Sequence, residues 1–269
     1  MNEQVPIKNP QLPHYWFFAL FITISELVFA CWNAGAGIIL HLILFWALMS
    51  HLFLLWALML ISYTIFDNNV PRLYLSLTLI PLMRIISVAV PMSNLSPILW
   101  HLLISVPLFL AAFSVARLAG YDRNDLGLTL DNLSVQLLIA WVGIPLGFVG
   151  YLVLKELSFN ISFALQDLWY STIILIICTG FLEELLFRGI IYRAALEAMG
   201  GRNALLFVSF INATMHISNL SFLHVIYVFL VAVLFTKIYD LQGSIVGISL
   251  AHGLLNITLF LICPLGFLS

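Results

Sequence analysis

Nine apolar segments, each near the length that crosses a bilayer, restrict this chain to very few folds. They cover residues 15–33, 37–65, 73–90, 97–117, 133–154, 169–195, 203–217, 222–238 and 244–262. A hydrocarbon core of about 30 Å asks for roughly 20 helical residues. The seventh and eighth segments are short and are expected to tilt or to be irregular. The second is long, contains Trp46 and Trp56, and must tilt or protrude. Within lipid every backbone N–H and C=O needs a partner inside the protein, and at these lengths helices supply it. The expected fold is all-α, a polytopic transmembrane helical bundle of about nine spans.

Composition agrees. The chain is 63% apolar and 8% charged, whereas soluble domains run at about 45–50% and about 25%. No basic patch or run exists, so nucleic acid is not an expected partner. Cys31, Cys178 and Cys263 stand far apart in or beside apolar segments and read as small buried hydrophobes, not as a disulfide or zinc framework. The polar stretch from Met1 to Pro13 precedes an apolar run that carries Glu26 and exceeds a signal-peptide core. Ala34-Gly35-Ala36 imitates a cleavage site only weakly, and the first span is expected to be retained.

A cytoplasmic N-terminus puts Lys8, Arg72, Arg117, Arg123, Arg193, Arg202 and Lys237 inside and leaves only Lys155 outside. The longest polar connection, Ala119 to Asn132, divides the chain. Residues 1–118 form a group of about four spans, and residues 119–269 form a second group of about five. The first group has Glu26, His41, His51, Arg84 and His101 in or near its spans, with no shared spacing. Packing or interhelical hydrogen bonding accounts for them. Glu26 and Arg84 are a possible pair.

The second group carries Gly180-Phe-Leu-Glu183-Glu184-Leu-Leu-Phe-Arg188-Gly189. Each ionised group at mid-bilayer costs about 2.5–3.5 kcal/mol on insertion scales, so a cluster of three points to use. Glu184 and Arg188 are four residues apart on one helix face and can pair. Glu183 is rotated away and remains free. It lies about 15 Å by helix rise from Arg193, well inside the membrane. Asn212 and His216 repeat the four-residue spacing on the next segment, and His252 and Asn256 repeat it on the last. Two imidazoles, two amides and a spare carboxylate around one wet pocket suit water activation and oxyanion stabilisation. Helix-gluing hydrogen bonds are the competing account of these histidines and asparagines. His224 is expected at the membrane interface.

Other membrane chemistries lack their motifs. His-Glu-x-x-His is absent. Tyr239-Asp240 is half of a two-aspartate signature with no Gly-x-Gly-Asp after it. Gly247-Ile-Ser249-Leu imitates a serine-protease motif, but the nearest histidine, His252, is on the same helix. No phosphate-loop or dinucleotide pattern is present.

Glu183-Glu184-Leu-Leu-Phe-Arg188-Gly-Ile-Ile-Tyr-Arg resembles the first motif of the CAAX-protease and bacteriocin-processing family, the glutamyl intramembrane endopeptidases related to type II CAAX prenyl endopeptidases. His216 matches the histidine of the second motif, and His252-Gly-Leu-Leu-Asn256 matches the third, His-x-x-x-Asn. Asp125-Leu-Gly-Leu-Thr resembles a segment that precedes the family core. The resemblance covers roughly residues 120–262. It implies an active-site cavity open to the cytoplasmic side. In that cavity Glu183, with His216, activates water, and His252 and Asn256 stabilise the oxyanion. Glu184 and Arg188 organise the site. The chain departs from the family at Asn212, where the second motif has phenylalanine. The expected function is cleavage of a peptide bond in a membrane-associated protein or peptide, without cofactor or metal, by an integral protein of the plasma or inner membrane. Two alternatives stay open: a zinc protease using Glu183, His216 and His252, and a non-proteolytic membrane scaffold or chaperone. A transporter would need matched broken helices, and none is evident.

Overall fold

The computed structural model describes residues 12–62, 69–90, 95–154 and 168–265. Lys8, Lys155 and the end of the second apolar segment lie outside the described residues. Thirteen α-helices are present among them, with no strand. The first five are α1 (Leu12–Cys31), α2 (Ala34–Ser62), α3 (Asn69–Leu77), α4 (Leu79–Ala89) and α5 (Pro97–Leu118). A polar connection leads to α6 (Leu133–Ala140) and α7 (Gly143–Leu154). Then follow α8 (Leu168–Ile174), α9 (Leu182–Glu184), α10 (Arg193–Met199), α11 (Gly201–Thr214), α12 (Phe222–Gln242) and α13 (Val246–Ile257). Five runs are long and apolar enough to cross a membrane: Ala34–Leu54, Arg72–Ala89, Pro97–Leu118, Leu133–Leu154 and Phe222–Gln242. Tyr15–Cys31 and Val246–Ile262 are apolar but shorter. The fold is an all-α polytopic bundle. Outward faces carry large apolar residues such as Phe17, Trp46, Leu110, Leu138 and Leu230, as lipid requires.

The two segments that carry the motifs depart from plain α-helix. Between α8 and α10 the backbone widens twice into π-helix, over Leu175–Phe181 and over Leu185–Tyr192, on either side of α9. A third π stretch, Thr258–Ile262, continues α13. Such turns add a residue to the ladder and re-aim neighbouring side chains, and they concentrate at functional sites. Hydropathy does not register a change from four- to five-residue bonding, so the sixth apolar segment, 169–195, carries no sign of these turns along the chain.

α13 crosses the first π stretch at two glycines. A Cβ on Gly180 would stand 2.7 Å from the Gly253 nitrogen and 2.7 Å from the Ser249 carbonyl oxygen. A Cβ on Gly253 would meet the Ile176 backbone at 2.9 Å. Small residues let membrane helices approach backbone to backbone where apolar burial gives no net drive. Gly180→Ala should therefore force the two elements apart and cost about 1–3 kcal/mol. Unfolding of the purified variant in detergent checks this; an unchanged midpoint would refute the close crossing.

The polar connection is docked. Asp122 Oδ1 accepts the Asn124 and Asp125 backbone N–H groups at 2.8 and 2.9 Å. Ile245 N–H donates to the Gly127 carbonyl, and Ser244 Oγ donates to the Thr129 carbonyl, at 2.9 and 2.7 Å. At the same end, Glu197 binds Arg72 at 3.2 Å and Arg193 at 2.9 Å, while Arg193 also reaches Asp125 at 3.2 Å. Two cations expected on one side of the membrane, Arg72 and Arg193, thus meet two anions, Asp125 and Glu197, at one end of the bundle. Burial, with the Glu197 carboxylate accepting its hydroxyl at 3.2 Å, pushes the Tyr121 phenol above its ordinary range.

Candidate active site

Glu184 is fully buried and Arg188 is 2% exposed. Arg188 Nη1 lies 3.1 Å from both carboxylate oxygens of Glu184. Its remaining donors reach across to α12: Nε to Thr236 Oγ1 at 3.2 Å and Nη2 to the Ala232 carbonyl at 3.1 Å. One guanidinium therefore neutralises a buried carboxylate and ties two elements together, a geometry that suits arginine's planar fork. The i, i+4 spacing made this pair legible in the sequence. Glu183 goes elsewhere, as the rotation per residue requires. Its side chain retains 28% of its exposure and makes no ion pair with Arg188 among the described residues.

His252 comes from α13 and lies between the two glutamates. Its Nδ1 is 2.7 Å from Glu184 Oε1, and its Nε2 is 3.8 Å from Glu183 Oε2. A carboxylate only accepts, so Nδ1 carries a proton. The resemblance implied an imidazole that serves the oxyanion; this link to Glu184 is not legible along the chain, because spacing within α13 says nothing about what the facing helix presents. Asn256, 8% exposed, donates through Nδ2 to Thr179 Oγ1 at 2.8 Å. That bond uses one of its two amide hydrogens.

His216 sits just past the end of α11, which stops at Thr214 instead of running to residue 217. His216 takes φ −99° and ψ 4°. Its Nδ1 is 3.0 Å from the Asn212 backbone carbonyl. A carbonyl cannot donate, so Nδ1 bears the proton and Nε2 is left as an acceptor. The main chain of residue 212 orients the imidazole, not the asparagine side chain. The Asn212 side chain is 5% exposed, and its nitrogen has no hydrogen-bond partner among the described residues.

All six sequence-predicted site residues, Glu183, Glu184, Arg188, His216, His252 and Asn256, line one cavity of about 170 Å³. It is polar and roomy enough for water. One wall is apolar and includes Leu154, Val231, Leu255 and Phe260. Two histidines join the lining that sequence reasoning had placed elsewhere. His224, expected at the membrane interface, is 5% exposed, and its ring centre is 5.5 Å from that of His216. Asn219 Nδ2 donates to His224 Nδ1 at 3.1 Å. His101, expected to serve packing, brings α5 of the N-terminal group to the same cavity. No periodicity within a segment distinguishes a residue facing this hollow from one facing a neighbouring helix. Among the described residues no three histidine, cysteine, aspartate or glutamate side chains are grouped to hold a metal ion.

Residues 165–258 match the family model described as Type II CAAX prenyl endopeptidase Rce1-like. The matched stretch contains Glu183, Glu184, Arg188, His216, His252 and Asn256, and excludes the first five helices and the Asp125-Leu-Gly-Leu-Thr segment. Comparison with curated proteins and with solved structures finds no match. The matched stretch, the order of its three motifs and the apolar helices around it show an integral membrane protein that carries, over residues 165–258, a domain similar to the type II CAAX prenyl endopeptidases.

Proposed function

We propose that the protein is a glutamate-dependent intramembrane endopeptidase that cleaves near the C-terminus of a membrane-associated protein or peptide. The observation that carries this reading is the division of labour between adjacent glutamates. Glu184 is consumed by Arg188 and His252, and Glu183 shares the cavity with a His216 whose Nε2 is an acceptor. Two acceptors hold one water by its two hydrogens and leave a lone pair for a carbonyl carbon. Glu183 removes a proton as the water oxygen attacks, and the carbonyl oxygen becomes an oxyanion. The free N–H of Asn256 and the Nε2–H of a doubly protonated His252, whose Nδ1–H is held by Glu184, donate to it. The C–N bond then breaks as Glu183 returns the proton to the leaving nitrogen, giving an amine and a carboxylic acid, which passes its remaining proton to Glu183 or to solvent. The apolar wall next to the polar cluster suits an aliphatic side chain beside the scissile bond.

The protein is read as having about nine spans and a cytoplasmic N-terminus in the plasma or inner membrane, with the cavity open to the cytoplasmic side. The charged end built by Arg72, Asp125, Arg193 and Glu197 supports that orientation. The test is direct. The full chain in nanodiscs is incubated with a quenched peptide ending in farnesylated Cys-aliphatic-aliphatic-X and with its unprenylated counterpart, and products are read by mass spectrometry. Release of a tripeptide from the farnesylated probe supports a prenyl-protein substrate. Cleavage of the unprenylated probe alone points to another class of membrane peptide. Neither probe being cut argues against the proteolytic reading.

A further inference from the structure

Glu26 of α1 is fully buried, and Arg84 of α4 grips it with two bonds, Nε to Oε1 at 2.8 Å and Nη2 to Oε2 at 2.6 Å. His41 of α2, also fully buried, stands 3.2 Å from the same carboxylate. All three residues lie outside the stretch matched to the family. The same Arg84 Nη2 also donates to the Met215 carbonyl at 2.8 Å.

Met215 is the C-cap of α11 and the residue before His216. The last carbonyls of a helix lack intrahelical partners and carry partial negative charge, so a cation bound there anchors the helix end. This cation comes from a different part of the chain, 131 residues away. Its position is fixed in turn by a buried carboxylate and by the Phe29 ring, 4.8 Å beneath the guanidinium. His216 lies past the last α-helical turn, where its N–H donates to the Ala213 carbonyl at 3.0 Å and its carbonyl accepts from the Asn219 N–H at 3.1 Å. Beyond those local turn bonds, Arg84 holds the Met215 carbonyl from another part of the chain, and the Asn212 carbonyl holds the imidazole Nδ1.

We infer that Arg84, held by Glu26, is a positioning residue for His216: the N-terminal helices set the orientation of the imidazole from outside the catalytic segment. The inference rests on the proteolytic reading only for its kinetic consequence. Arginine is required because one side chain must bridge a carboxylate through two nitrogens while still reaching a carbonyl. A lysine ammonium is a compact point charge without that fork.

The experiment uses the full chain in nanodiscs with ¹⁵N-labelled histidine. The His216 signals are assigned by their loss in His216→Gln. Three variants are compared with wild type: Arg84→Lys, Arg84→Met, and Glu26→Gln/Arg84→Met. The double variant removes both buried charges together and so avoids stranding one of them. The expected result is a shift of the His216 ring-nitrogen signals in all three, with those of His51 unchanged. On the farnesylated probe, kcat should fall by up to ~100-fold with KM unchanged, the signature of a misplaced catalytic group. A double variant with wild-type His216 signals and wild-type kcat would overturn the inference, whatever its thermal stability. If wild type cuts no probe, the proteolytic reading fails and the His216 signals alone decide the positioning role.

Discussion

Glu183→Ala should abolish peptide cleavage, with turnover reduced by about 10²–10⁴-fold, while the protein inserts and unfolds as wild type does. The kinetic effect is large because the other carboxylate that lines the cavity among the described residues, Glu184, is already bound by Arg188 and His252. The structural effect is small because Glu183 keeps 28% of its side-chain exposure, and its contact with a basic group among the described residues is the one with His252 Nε2 at 3.8 Å. Removing one of two adjacent carboxylates also relieves like-charge repulsion, so the variant's unfolding midpoint should equal or exceed that of wild type. His216→Ala should give a similar kinetic loss. Wild-type turnover in either variant would eliminate the water-activation mechanism. Loss of turnover together with loss of folding would assign Glu183 a structural role instead.

Arg188→Met has the opposite character. It leaves the Glu184 carboxylate fully buried without its guanidinium partner and removes both links to α12. Breaking a buried pair from one side costs about 3–5 kcal/mol, since the stranded charge has nowhere to be solvated. Unfolding in mixed micelles should show a destabilisation of that order, and activity should fall with it. Glu184→Gln/Arg188→Met should recover much of the stability, because the carboxylate is neutralised when its partner goes, but it should not recover activity. His252 would keep an acceptor at Nδ1 but lose the charge that it now faces. If Arg188→Met is as stable as wild type, the pair does not hold the helices together. If the double variant is fully active, Glu184 has no role in organising the site.

The two variants separate what adjacent glutamates do. Carboxylates one residue apart on a helix differ by a rotation of about 100°. Here that rotation decides which of them is buried against an arginine and which remains open. The sequence expressed this directly, because a four-residue spacing fixes the pairing of Glu184 with Arg188 whatever the surrounding helices do. The third-motif pair was legible in the same way, and His252 and Asn256 do share the face that lines the cavity.

Other features lay beyond any reading along the chain. The Glu26–Arg84 pair joins residues 58 positions apart, and the bond from Arg84 to Met215 spans 131. Neither has a periodic signature, so the sequence could offer the first only as a possibility and the second not at all. His101 and His224 looked like packing or interfacial histidines, because a lone histidine in an apolar run reads the same whether it faces lipid, a helix or a cavity. Asn212 stood out as a departure from the family's phenylalanine, whereas its contact with His216 runs through the backbone carbonyl, an atom that every residue has.

The amino-acid sequence alone determined the class of fold, because hydrocarbon tolerates only structures that close their own backbone bonds, and long apolar runs do so as helices. It also determined the ion pair of Glu184 with Arg188, through helical geometry that is local to one turn. Only the tertiary structure decided that His252 lies between the two glutamates and that Asn256 is bound by Thr179. Only it showed that α11 ends before His216 and that N-terminal helices supply Arg84 and His101 to the region of the site. The physical reason is one of range. Hydropathy and four-residue spacing are properties of a single helix, whereas a cavity is defined by the distances between helices, and those follow from close crossings such as Gly180 with Gly253.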